Sequence, residues 1–370
     1  MRAGRASGRV WYDAAADVWR VWAFDAARAM FLDRDFRFPE PPSLNDQTLP
    51  PSIAAAARQG RAAQVRWFAL DSELHLQVRP VLAAALSGAA VAKLEASMRA
   101  KADATMAAAL ADPTALRDFC KGFPRDSQLD LFGVPPHARP AVLQSALVVA
   151  ALFPHRKANP VRPWIAQASL MAVIEDLFDA PAPAGAVVLE AMQRAVAAGR
   201  LAHADAIAAL SVVMTAGLET AGFALTGLIA RLAGEADLRV RARSGGAALN
   251  ALIEEELRAS ASPQIVGCFD HDLVLNESRI PAGSRILVDI KQANHDPARF
   301  DDPDRFIPDR NDADHIAFGA GVHVCVGRHF ARLHLRVAAE AFLAAFPRLS
   351  QACAGEMAAL AAGAPAAAPA

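Results

Sequence analysis

Four groups of residues in this chain have types and spacings that could do chemistry. The first is residues 318–332, Phe-Gly-Ala-Gly-Val-His-Val-Cys-Val-Gly-Arg-His-Phe-Ala-Arg. Gly319, Gly321 and Gly327 surround Cys325, and a run with helical periodicity follows through Phe330, Leu333, Leu335, Val337, Ala338 and Phe342. Glycines open backbone angles closed to other residues and let a flat ligand approach the main chain. Amide N–H groups and a helix N-terminus beside the sulfur are expected to favour thiolate over thiol. An anionic sulfur in a rigid, partly apolar loop suits a soft or redox metal. The bland alternative is a buried free cysteine in a glycine-rich turn. The second group is Ala216-Gly217-Leu218-Glu219-Thr220, an acid beside a hydroxyl at the middle of a long apolar segment. Its bland alternative is Thr220 bonding back to a helix carbonyl and Glu219 pairing elsewhere. The third is His75 and Arg79, four apart and so on one helix face, where they would clamp a carboxylate. The fourth is Glu255 and Arg258, one turn apart; such a pair on a surface contributes little.

The fixed positions Phe-Gly-x-Gly-x-His-x-Cys-x-Gly-x-x-x-Ala-Arg resemble the haem-binding loop of the cytochrome P450 superfamily, in which a cysteine thiolate ligates haem iron. That resemblance makes Cys325 the axial ligand to haem b. It sets His323 against a haem propionate and packs Phe318 and Gly319 beside the sulfur. Ala216-Gly217-Leu218-Glu219-Thr220 resembles the family's oxygen-binding motif. Splitting dioxygen needs two protons, which a threonine hydroxyl with an ordered water and a nearby carboxylate can deliver. Ala216 and Gly217 would leave room between helix and haem. His75 and Arg79 resemble the propionate-binding helix. Glu255 and Arg258 resemble a buried pair that meets a loop before the haem site, with Arg305 the candidate third member. The resemblance runs over residues 11–349 and includes Ala-Asn-His-Asp-Pro at 293–297. One departure is visible. Related chains carry a propionate-binding arginine between the Glu-x-x-Arg helix and the following hairpin, but Ile265-Val266-Gly267-Cys268-Phe269-Asp270-His271 has none.

The elements that must position these groups are mostly helices. Residues 206–232 are long and apolar enough to span a bilayer, but Glu219 near their middle favours a buried central helix. Helices are expected over 25–32, over 70–79 with Asp71 or Ser72 as N-cap, and over 91–110, which is rich in alanine. Further helices are expected over 118–134, 141–152 and 163–177; the resemblance makes the last two, with the loop at 154–160, an apolar lid over the substrate. The one clear β region is residues 272–275 and 284–290, flanking a proline–glycine turn at 280–283.

The 370 residues carry 54% hydrophobic residues, enough for a large core, and 38 basic against 39 acidic residues. Balanced charge points to neither nucleic acid nor an anionic membrane surface. Four scattered cysteines fit a reducing compartment, and the basic N-terminus lacks an apolar signal or anchor run, so a cytoplasmic protein is expected. The expected fold is mainly α with a small β-rich corner. Residues 1–350 would form one domain, with haem between the central helix and the cysteine-loop helix. Residues 351–370, rich in Ala, Gly and Pro, would be a flexible tail. The implied activity is monooxygenation of a small organic substrate near Val212, Val213 and Ala216. Electrons would come from a separate ferredoxin or flavodoxin, docked on a face including Arg79, Arg328 and Arg332. The missing arginine motivates a second reading, a haem-binding scaffold without turnover.

Overall fold

The computed structural model describes residues 10–39, 49–68, 73–111, 115–150, 161–261, 264–275, 277–310 and 314–352. Two short strands come first, β1 (Val10–Asp13) and β2 (Val18–Val21). Helices then follow: α1 (Phe24–Leu32), α2 (Pro51–Phe68), α3 (Glu73–Ala85), α4 (Gly88–Ala92) and α5 (Glu95–Ala111). Next are α6 (Ala115–Asp130), α7 (Arg139–Ala150), α8 (Val161–Asp179) and α9 (Val187–Ala197). The 32-residue α10 (His203–Gly234) leads to α11 (Ala236–Arg243) and α12 (Gly246–Ser260). Four strands come after it, β3 (Gln264–Gly267), β4 (Leu273–Leu275), β5 (Ser278–Ile280) and β6 (Ile286–Asp289). A single turn of helix, α13 (Ile290–Ala293), and the long α14 (Arg328–Ala352) complete the described chain.

The helix α10 is apolar on nearly every face because it is packed on nearly every face, by α6, α14, α8 and α12. An all-round hydrophobic helix is stable only when enclosed. It is long and apolar enough to cross a membrane, yet most of its apolar window is buried against the protein's other helices. Its Leu210, Met214, Leu218, Leu225 and Leu228 sit in one continuous cluster with Phe119 and Phe123 of α6 and with Leu335, Val337 and Phe342 of α14. A second cluster, around Phe24, Phe31, Phe36, Phe269, Ile286 and Phe300, fills the β-rich corner.

That corner is larger than the sequence suggests. Its sheet has the order β1-β2-β6-β3, with β2 running parallel to β6 and Trp19 opposite Ile286. The Trp-rich N-terminal segment is therefore two strands, a reading that mixed aromatic and acidic residues did not reveal. The expected hairpin is also corrected. Residues 273–275 pair with β5 across a tight turn at Glu277, which sits at φ 66°, and not with β6. The proline–glycine turn exists, closed by the Ser284 N–H to the Pro281 carbonyl at 3.1 Å, but it carries the chain from one sheet to the other.

The expected continuous helix over 91–110 is broken. The chain bends by 72° between the segment ending at Ala92 and the one starting at Glu95. Alanine propensity supports helix on both sides but cannot place the break; tertiary contacts override it. Here α5 is drawn onto α14 by Arg336, which donates to both carboxylate oxygens of Glu95 at 2.9 and 2.7 Å, and by Arg99 against Glu340 at 2.7 Å. The helix expected at 118–134 begins earlier and ends at Asp130, followed by a turn with Gly133 at φ 67°. The expected N-cap at 71 or 72, the loop at 154–160 and the tail beyond 352 lie outside the described residues.

Candidate functional site

A cavity of about 440 Å³ lies between α10 and the loop that precedes α14. Its walls are mostly apolar, as in most small-molecule sites. Val212, Val213, Ala216, Gly217 and Thr220 line one side, and Phe318, Gly319, His323, Cys325 and Gly327 line the other. Ala216 and Thr220 are exposed residues in the middle of an otherwise buried helix, because they face this space.

The cysteine loop is a tight return of the chain. The Cys325 N–H donates to the Phe318 carbonyl at 2.8 Å, and the Gly319 N–H to that of Ile316 at 2.9 Å. Gly321 sits at φ 66°, and a Cβ there would meet the Phe31 carbonyl oxygen at 2.3 Å. Only glycine satisfies both constraints. Gly321→Ala is expected to cost at least about 1–2 kcal/mol from the left-handed backbone alone. Loss of cofactor retention and a lowered melting temperature would register it; a variant that melts and loads like the parent would contradict the geometry.

Cys325 opens onto the cavity, whereas Cys120 and Cys268 are buried. The expectation that the loop by itself favours thiolate is corrected. Desolvation pushes the Cys325 thiol up, and this outweighs the Gly327 N–H and the charges of Arg79, Arg328 and Arg332. A metal that coordinates the sulfur would supply the missing term, since coordination deprotonates a thiol outright.

His75, Arg79 and His323 gather at one edge of the cavity. The His75 and His323 rings are 4.9 Å apart, and Arg79 donates to the Val324 carbonyl. Burial, then His323, then Arg79 push His75 down to about 4. Positive groups that suppress one another in this way are a seat for anions. A flat macrocycle with carboxylates at one edge and iron at its centre fits this arrangement: apolar faces, a sulfur on one wall and a cationic rim. The window that lacks an arginine is met by Arg37. Arg37 and Cys268 exchange backbone hydrogen bonds at 3.1 and 2.8 Å, and the Arg37 guanidinium pairs with Asp270 while lining the cavity. His271 instead packs against Phe269.

On the opposite wall, Thr220 Oγ1 donates to the Ala216 carbonyl at a long 3.3 Å. Glu219 points away, held by Arg125 of α6, whose Nε donates to it at 2.8 Å. Both contacts match the bland alternative for this pair, while Thr220 still lines the cavity. Gly217 makes room for a neighbouring side chain: a Cβ there would stand 2.4 Å from Gln128 Nε2.

Behind the cysteine loop, Arg258 is 1% exposed and Glu255 5%. Arg258 donates to both Glu255 oxygens at 2.8 and 2.9 Å and to the Asn294 carbonyl at 2.7 Å. The Asn294 side chain accepts the Ile316 N–H at 3.0 Å, which fixes the start of the cysteine loop and gives Asn294 its role in the 293–297 motif. Arg305 as the third member is corrected. Its side chain is exposed and pairs with Asp302; only its carbonyl faces Arg258. The third guanidinium belongs to Arg310, with Nε 3.1 and 3.2 Å from the Glu255 oxygens. The stretch 303–310 contains two Asp-Arg steps, and the second is the one that turns inward.

Sequence reasoning also missed Glu254. Burial raises its carboxyl, but Arg332 and His315 outweigh this and hold it at about 2. Arg332 donates to it at 2.6 and 2.7 Å and lies 4.7 Å over the Phe318 ring, so Glu254 fixes the cation that covers the aromatic at the start of the cysteine loop. Arg79, Arg328 and Arg332 are all partly exposed, and each is already engaged, Arg79 with the Val324 carbonyl, Arg328 with that of Cys325 and Arg332 with Glu254.

A model of the cytochrome P450 family matches residues 247–351. The cytochrome P450 monooxygenase PikC of Streptomyces venezuelae is 28% identical over 95% of this chain and 83% of its own length. The 6-deoxyerythronolide B hydroxylase of Saccharopolyspora erythraea is 36% identical over 41% of this chain and 38% of its own. Among solved structures, P450BioI in complex with a hexadec-9Z-enoic acid ligated acyl carrier protein superposes with a TM-score of 0.78 at 18% identity, covering 92% of this chain and 88% of that one.

Proposed function

The chain belongs to the cytochrome P450 superfamily and is a haem-thiolate monooxygenase; from that premise we propose that it hydroxylates a C–H bond of a small, mainly apolar substrate, with electrons from a separate ferredoxin or flavodoxin. The observation that carries this reading is a mostly apolar cavity with Cys325 on one wall and Thr220 on the other. Haem held by a cysteine thiolate supplies dioxygen binding and O–O cleavage, which the electron-rich sulfur favours.

The protein's own groups do the rest. Cys325 is the ligand, and His75, Arg79 and His323 would hold the haem carboxylates, with Arg37 standing in for the absent arginine. Val212, Val213 and Ala216 offer an apolar surface that orients the substrate and excludes water. The long bond from Thr220 to Ala216 is weak by hydrogen-bond criteria, so the hydroxyl can turn to a partner in the cavity. Glu219, half-exposed beside Arg125, takes protons from solvent and passes them inward when that ion pair opens.

The test is reductant consumption with a ferredoxin and its reductase across a panel of apolar compounds. Thr220→Ala should keep the haem spectrum, raise the hydrogen peroxide formed per reductant, and lower product formation by up to about 100-fold, the scale of one lost proton-transfer group. Unchanged coupling would remove Thr220 from this role. A correct haem spectrum with no reductant use for any compound would favour the scaffold reading.

A further inference from the structure

The backbone of Arg37 and its side chain are held in different ways. The backbone is fixed twice. Its exchange of hydrogen bonds with Cys268 is one anchor. The other is the buried Phe36, whose ring lies 6.1 Å from that of Phe31 and 5.4 Å from that of Phe269. That ring also fills the room beside Gly267 of β3, where a Cβ would stand 2.2 Å from it. A side chain at 267 and Phe36 in its present seat exclude each other. The cation of this corner therefore comes from residue 37 and not from that position of β3.

The guanidinium is held loosely. It lines the cavity, and the ring of the next residue, Phe38, is 6.0 Å from that of His323, at the edge where His75 and Arg79 gather. Yet its partner is Asp270, whose side chain is 69% exposed and does not line the cavity. Exposed ion pairs are weak, because water screens them and both side chains must be ordered to make them. A guanidinium–carboxylate contact inside a mostly apolar cavity is charge-assisted and less screened. None of the residues lining the cavity is acidic, and Arg37 and Arg79 are its two guanidiniums. An anion arriving at this edge meets one cation already paired with an acid outside.

We propose that Asp270 is a placeholder for a haem carboxylate: Arg37 turns from Asp270 to that carboxylate when the cofactor enters, and Asp270 opposes cofactor retention by competing for the same guanidinium. The inference rests on the haem-thiolate reading and on Arg37 as the stand-in arginine. Asp270 acts through Arg37 and is a positioning residue. The exchange is one of hydrogen-bond partners, with no covalent step. Its signature is a difference of sign. In a purely structural ion pair both members favour retention, whereas a placeholder and its arginine act in opposite directions.

The test is the rate at which the haem-loaded protein gives up haem to excess apomyoglobin, read by absorbance without turnover. Arg37→Leu should speed this loss roughly 10-fold, the scale of one charge-assisted hydrogen bond. Asp270→Asn should slow it about 2–5-fold, the scale of an exposed ion pair removed as a competitor. In the Arg37→Leu background Asp270→Asn should change nothing. The Asp270 side chain is exposed, and a gain in retention cannot arise from misfolding. Loss from Asp270→Asn at the parent's rate or faster overturns the proposal, and so does parent-like loss from Arg37→Leu. The monooxygenase reading fails separately, as a protein that shows these rates and never consumes reductant.

Discussion

Cys325→Ala is expected to abolish the strongly red-shifted Soret band of the reduced, carbon-monoxide-treated protein, and turnover with it. The other described cysteines cannot take its place. Cys120 is buried, with its thiol pushed up to about 12 by desolvation, and Cys268 is buried beside its bridge to Arg37. Desolvation also favours the thiol form of Cys325, so coordination to iron would be what draws off its proton. Cys325→His separates ligation from cavity shape. It should retain haem with the band of a histidine-ligated centre and still not turn over. Retention of the thiolate band in Cys325→Ala would remove the ligand assignment.

Arg258→Leu and Glu255→Gln should each destabilise the protein by about 3–5 kcal/mol, because truncating one member of a buried, hydrogen-bonded pair leaves the other uncompensated. Glu255 accepts from two nitrogens of Arg258, from Arg310 Nε and from the Ile307 N–H at 2.8 Å; its loss frees donors on three residues at once. Through Asn294 and Ile316 the damage reaches the cysteine loop, so haem retention should fall together with stability. Denaturant melts and haem occupancy check this. The same melts separate the two arginines of 303–310. Arg310→Ala should be costly, while Arg305→Ala, exposed and paired only with Asp302, should stay within about 0.5 kcal/mol. Equal losses would refute the network drawn here.

Much of the site was legible in the sequence because its chemistry is local. Cys325 and its glycines, Glu219 beside Thr220, and Glu255 one turn from Arg258 declare themselves within a few residues. The partners that complete them are distant in the chain and carry no local mark. Arg125 reaches Glu219 across two helices, Glu254 meets Arg332 from the far side of the sheet segment, and Arg37 meets Cys268 through a single bridge. The fold follows the same division. The central helix is written in a run of apolar residues, while β1 and β2 become strands only through pairing with residues much later in the chain.

That late pairing has a consequence for how the protein is made. Trp19–Val21 can dock only when Ile286–Val288 has emerged, roughly 270 residues afterwards, and at ~5–20 residues per second this takes on the order of 15–50 s. Throughout that interval Trp11, Trp19 and the apolar partners of β2 lack their sheet. The nascent chain therefore carries this aromatic segment without its partner strand throughout that interval, open to chaperones. The corner that lines one side of the cavity, through Phe31, Phe36, Ile265 and Ile290, cannot assemble in chain order.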